Sequence, residues 1–149
     1  MVRIHSYQHP GNRTVFQVFQ AYAKQYYLGL TMTLMLLLLY QLAQRSAIFI
    51  PGVAGVFGTI LVANVLASIQ MQRTKAEAAF HEGHFYLRDV YQVAVGQQAS
   101  FFPLPYANAQ LKGDYLYVTY FDSIYTLWRE DWQEWEDLLY YFGLRWFQA

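Results

Sequence analysis

The chain has no cysteine among its 149 residues, which excludes disulfides, thiolate metal sites and thiol nucleophiles while leaving the redox compartment open. It also lacks net charge, because ten Lys and Arg balance ten Asp and Glu. That balance leaves no basic stripe of the kind that grips a phosphate backbone, so nucleic acid is not expected as a partner. Charges of either sign are scarce, at 13 % against about 25 % in soluble domains, and the scarcity is local. From Gln25 to Gln72 only Arg45 is charged. Catalytic signatures are missing too: the sequence holds no P-loop, no dinucleotide glycine pattern and no Gly-x-Ser-x-Gly elbow.

What fills the uncharged region is apolar sequence of membrane-spanning length. A bilayer core about 30 Å thick needs about 20 apolar helical residues, since lipid offers the backbone no hydrogen-bond partner. Residues 26–44 supply one such run and residues 51–70 a second, with Pro51 placed at a first helical turn where its missing N–H costs nothing. The connection is too short to cross a bilayer, so the pattern predicts an antiparallel transmembrane hairpin over residues 26–71. Both runs are apolar around the whole circumference, unlike helices of a small soluble bundle. The first is too long, and lacks the small-residue cleavage site, for a secretory signal. Arg3, Arg13 and Lys24 precede the hairpin, Arg73, Lys75 and Arg88 follow it, and Arg45 alone occupies its turn. The positive-inside rule then puts both termini in the cytoplasm, with the hairpin in the inner membrane.

No ionisable residue and no histidine lies within the spans, so a proton path and histidine ligation of haem or chlorophyll-type pigments are not expected; no cofactor is assigned. The second span carries small residues at Gly52, Gly55, Gly58 and Thr59, a face on which helices can approach closely. That face could receive the first helix of the same hairpin or another membrane subunit. Residues 1–25 read as a tail and an amphipathic interfacial helix, with Tyr22, Tyr26 and Tyr27 in the aromatic belt.

From Arg73 onward the pattern changes to strands. Aromatic and β-branched residues flank turns at His81-Glu82-Gly83, Lys112-Gly113-Asp114 and Asp122-Ser123, which predicts an antiparallel sheet within a domain at 76–149. Pro103 and Pro105 mark "SFFPLPY" as an edge or loop. The terminal stretch places Trp128, Trp132, Trp135, Phe142 and Trp146 on one helical face with acids on the other, so an amphipathic C-terminal helix is expected to pack its aromatics on the sheet. Acids on its polar face would meet anionic headgroups unfavourably.

The order of elements in "FFPLPYANAQLKGDYLYVTYFDSIYTLWREDWQEWEDLLYYF", preceded by the hairpin, resembles bacterial membrane proteins with a pleckstrin-homology-like cytoplasmic domain, including the YcxB-like group. The likeness covers Ala76 to Phe147 as a pattern. It implies a membrane α+β fold, a hairpin followed by a small antiparallel β-domain with a C-terminal helix. It carries over no site residues, and "FHEGHF" lacks the basic cluster of phosphoinositide-binding versions.

Two histidine pairs invite a metal reading. His81 and His84 are three apart across Glu82-Gly83, a turn that does not match the helical zinc-protease spacing. His5 and His9 are four apart, but Pro10 and Gly11 argue against a helix there, which leaves only a weak site in the tail. Asp89, Asp114, Glu130 and Asp131 could act as acid and base only if the fold gathers them. The surplus of tyrosine and tryptophan suits a protein-binding surface. The expected function is a non-catalytic membrane scaffold or accessory subunit, in contact with the lipid bilayer and with other membrane protein subunits. The competing expectation is a ligand- or lipid-sensing module.

Overall fold

The computed structural model describes residues 1–44 and 49–144, the side chain of Phe49 excepted; Arg45, Arg145 and Trp146 lie outside the described residues. The chain forms two compact units. One is the helical stretch Arg13–Gln72, and the other joins Met1–Asn12 to the chain from Arg73 onward.

The helical unit holds α1 (Val15–Ala43) and α2 (Phe49–Arg73). Helix α1 opens on a capping box in which the Thr14 hydroxyl accepts the Gln17 N–H and the Gln17 side chain accepts the Thr14 N–H. It then runs unbroken for 29 residues, so the expected interfacial helix and first span are one element. At 1.5 Å per residue α1 is about 43 Å long and α2 about 37 Å, both more than a bilayer core requires. Contacts between them fall in antiparallel register. Gly52 faces Leu38 and Gly55 faces Leu34. Further along, the Tyr27 hydroxyl donates to Asn64 Oδ1 at 2.9 Å and that of Tyr26 to Gln70 Oε1 at 3.1 Å. Two of the three tyrosines expected in an aromatic belt, Tyr26 and Tyr27, therefore clip the helices together. Away from this seam the apolar side chains are exposed, with Leu28, Leu36, Ile50 and Phe57 at 71, 67, 77 and 70 %.

In the other unit, β1 (Val2–His5), β2 (Lys75–His81), β3 (His84–Asp89) and β4 (Phe102–Pro103) form an antiparallel sheet in that spatial order. A second antiparallel sheet comprises β5 (Asn108–Lys112), β6 (Tyr115–Tyr120) and β7 (Ser123–Trp128). The β2–β3 turn is two residues long with φ of 47° at Glu82 and 74° at Gly83, the left-handed pair that matches strand twist. Strand β3 stops at Asp89, whose carboxylate caps α3 (Val90–Val95) through the Gln92 N–H at 2.7 Å. Both sheets and α4 (Trp135–Tyr141) share one core built on Ile4, Phe80, Phe85, Leu116, Leu127 and Leu138. Phe85 meets Phe142 edge-on at 5.4 Å, and Phe80 stacks on Tyr141 at 4.8 Å.

Two boundaries differ from the sequence-based expectation. Met1–Asn12 belongs to the sheet unit, not to a separate tail at 1–25, because Val2–His5 pairs with Glu77–Phe80 and buries Ile4. The C-terminal helix does not begin at Trp128. Trp128 ends β7 opposite Tyr115, residues 129–131 form a 3₁₀ turn, and Trp132 bridges to Ser6. The backbone of 131–133 is thereby engaged by the N-terminal strand: Tyr7 N–H donates to Asp131 O at 2.8 Å and Gln133 N–H to His5 O at 3.4 Å.

These placements separate the tryptophans energetically. Trp135 is buried in the core, so Trp135→Ala is expected to cost about 3–5 kcal/mol and to make the sheet unit protease-sensitive. Trp128→Ala removes only a cross-strand stack, expected to cost about 1 kcal/mol or less, and thermal unfolding of the two variants measures the contrast.

Candidate functional site

Along β2, Ala78 and Phe80 face the core, which turns Glu77 and Ala79 to the opposite face of the first sheet. A carboxylate there is normally solvated. Glu77 is instead only 1 % exposed. The register explains its neighbours: Glu77 lies across from His5 on β1 and Arg88 on β3, and Ala79 lies across from Arg3 and Tyr86. Four strand positions thus deliver polar side chains around one carboxylate. The segment after α3 helps to cover it, since Arg88 Nη1 donates to Gln97 O at 3.1 Å and the Phe101 ring packs edge-on to Tyr86 at 4.8 Å.

The contacts of Glu77 use both of its oxygens. Oε1 accepts the Tyr86 hydroxyl at 3.0 Å and lies 3.5 Å from Arg3 Nε. Oε2 takes the Arg88 guanidinium and lies 4.0 Å from His9 Nε2. The His9 ring stacks on His5 with centroids 4.2 Å apart and planes inclined by 24°. Its Nδ1 accepts the Gly11 N–H at 3.1 Å, which assigns the neutral ring's proton to Nε2, on the side of Glu77. Burial and then the charge of His5 hold the His9 imidazole below its ordinary value, with Glu77 pulling the other way. Burial, followed by the hydrogen bond to Glu77, holds the Tyr86 phenol above its own. Tyr86 is therefore a protonated donor, unsuited to act as a base.

His5, His9 and Glu77 bring one ligand atom each within 4.8 Å of one another, the only such cluster among the described residues. The arrangement does not fit a metal ion. Metal–nitrogen bonds of about 2.1 Å lie in the imidazole plane, and two stacked rings do not point their lone pairs at a common centre. His9 Nε2 carries the proton, and Arg3 and Arg88 already neutralise the carboxylate. Nucleophilic chemistry has no better basis. Ser6 sits beside the pair but projects to the other face of β1, where its Oγ accepts the Gln8 N–H at 3.2 Å. What this cluster does is bring Arg3 and His9 of the N-terminal segment against a carboxylate buried in the sheet.

The residues singled out from sequence lie elsewhere. Gly55 is filled from within the hairpin: a Cβ there would overlap Leu34 Cδ1, and one at Gly52 would touch Leu38 at 3.7 Å. Gly58 opens onto free space, and Thr59 is half-buried. Trp132, Trp135 and Phe142 are buried in the sheet core, Trp128 is on the rim, and Trp146 is outside the described residues. His81 and His84 line an open cleft of about 410 Å³ with Phe80, Glu82, Leu104 and Tyr141. A second cleft, of about 450 Å³, holds the Arg129–Asp114 pair above Trp132 and Trp135. Of the four acids considered from sequence, Asp114 and Glu130 share that second cleft and Asp131 adjoins Glu130, whereas Asp89 caps α3. Glu77 drew no attention in the sequence because its partners at 3, 9, 86 and 88 meet it only in the fold.

Removing the carboxylate leaves Arg88 facing no counter-charge, so Glu77→Ala is expected to destabilise the sheet unit by about 3–5 kcal/mol. Arg3, whose side chain is 55 % exposed, should contribute about 0–1 kcal/mol, and denaturant unfolding of Arg3→Ala beside Glu77→Ala reads the difference. Neither protein-family models, nor curated proteins, nor solved structures give a match to this chain.

Proposed function

We propose that the protein is a non-catalytic, membrane-anchored interaction module, an accessory subunit or scaffold that docks with other membrane proteins. The observation that carries this reading is the exposure of apolar side chains around two helices of spanning length. None of the most apolar stretch of α1 is buried and only 11 % of that of α2, so neither is a core helix of this chain. Water would be a poor surrounding for such surfaces, whereas lipid suits them. On this reading the hairpin crosses the inner membrane twice and both termini are cytoplasmic, in keeping with the basic residues outside its turn.

The sheet unit supports a pleckstrin-homology-like reading through its four-stranded and three-stranded antiparallel sheets and the helix that follows them. An interaction role is favoured over ligand sensing by its surface. Tyr106, Phe121 and Ile124 are 71, 78 and 67 % exposed, while the two clefts are open, not deep, and the second is lined by Asp114, Arg129 and Glu130, unlike the deep apolar pocket a lipid sensor needs.

The hairpin offers a discriminating experiment, because Gly55 is occupied by Leu34 and Gly58 is open. Gly55→Leu is expected to lower the abundance of the protein itself. Gly58→Leu should accumulate normally in the membrane fraction yet lose a partner that co-purifies with the wild type in mild detergent. Recovery of the wild type as a lone monomer in every mild detergent would overturn the scaffold reading.

A further inference from the structure

We propose that the N-terminal arm, residues 1–12, is a proton-operated latch that docks on the first sheet while His9 is neutral and releases when His9 takes up a proton. The arm is held by few apolar contacts. Ile4 and Pro10 are its buried apolar side chains, while Met1, Val2 and Tyr7 are exposed. The rest of its attachment is the β1 ladder, the Ser6 N–H to Ala76 O bond at 2.9 Å, the two backbone bonds to 131–133 and the polar cluster on Glu77. An edge strand attached in this way belongs to the low-stability end of a fold.

The groups that face the imidazoles come from every element packed against them. Arg3 and His5 come from β1 itself, Glu77 from β2, and Tyr86 and Arg88 from β3. Glu77 is the one anion in contact with the ring among the described residues, and both of its oxygens are already engaged by Arg3, Tyr86 and Arg88. A proton added to His9 has two further consequences. It must go on Nδ1, where it turns an acceptor into a donor that faces the Gly11 N–H. It also stacks a positive ring on the face of the His5 ring.

The direction of the pH effect follows. With His9 held below its ordinary value of 6.5, the unfolded or undocked arm binds a proton more readily than the docked one. The docked state keeps its full advantage above 6.5 and loses it progressively as the pH falls below that value toward the lower one of the docked ring. Because β1 runs through a short segment into α1, release would free the chain that enters the hairpin and expose the edge of β2 that the arm covers.

Hydrogen–deuterium exchange on the full chain in detergent micelles tests the latch, with β6 amides in the same molecule as the internal reference. Between about pH 7.5 and about pH 5.5 the protection of residues 2–6 relative to β6 is expected to fall, by at most about tenfold per pH unit for each titrating group. His9→Gln, whose amide can still accept the Gly11 N–H, should keep the arm protected at the lower pH. An arm whose relative protection does not change with pH, or a pH-dependent loss undiminished by His9→Gln, would overturn the proposal. If His9→Gln frees the arm at both pH values, NMR titration of the wild-type ring decides: a His9 midpoint below 6.5 supports the latch and one at or above it overturns it.

Discussion

The pairing of Val2–His5 with Glu77–Phe80 is the constraint on which the rest of the structure depends. The chain leaves the sheet after its first strand, makes both long helices, and returns to lie beside the strand it left. Closing so long an excursion would be entropically costly for a flexible loop, though the cost grows only with the logarithm of its length. The antiparallel helix pair shortens the effective loop, because the register from Leu38–Gly52 to Tyr26–Gln70 brings residues near the start of α1 level with those near the end of α2. Hairpin and ladder therefore reinforce each other through covalent connection. The seam that makes this possible is built from absent side chains at one end and tyrosine hydroxyls at the other.

The same ladder places a buried carboxylate where sheets usually present solvated side chains. Glu77 survives there because two guanidiniums and a phenol satisfy its oxygens. In return it gives the arm a charge-based attachment that apolar burial alone does not supply. Burying an ion pair is seldom a net source of stability, but removing one partner is strongly unfavourable, so the cluster specifies register more than it strengthens the fold. A histidine pair laid over such a centre makes the attachment sensitive to protons, whereas a metal is poorly served by the same geometry.

Features governed by local sequence were legible before the structure. The stretch from Gln25 to Gln72, with Arg45 its one charge, announced two long apolar helices, and Glu82-Gly83 and Gly113-Asp114 marked turns that the sheets contain, whereas the third turn is Phe121-Asp122, one residue before the Asp122-Ser123 expected, because Ser123 opens β7 opposite Tyr120. What escaped depends on distant partners. "VRIH" is four residues long, and its alternation of Val2 and Ile4 with Arg3 and His5 becomes a strand only when β2 is beside it. Trp128, Trp132 and Trp135 stand at helical spacing, yet the first belongs to the β6–β7 ladder and the second to the bridge with Ser6. The Asp89-to-Gln92 capping pattern was a usable local signal for α3 that the strand-like composition around it obscured. Glu77 among alanines carried no signal at all.

The most direct test of this account is whether the first strand returns to β2 in the full chain. Arg3 and Ala79 are register partners, and the bond from Ser6 N–H to Ala76 O puts them at a non-hydrogen-bonded position, where facing Cα atoms are about 4.5 Å apart. That spacing accommodates a disulfide, and no native cysteine competes. With cysteines at both positions, mild oxidation of the full chain in intact cells is predicted to close the bridge, seen as a mobility shift that reductant reverses. Free thiols at both positions after oxidation, each still accessible to a small alkylating reagent, would contradict the insertion of the hairpin between two paired strands.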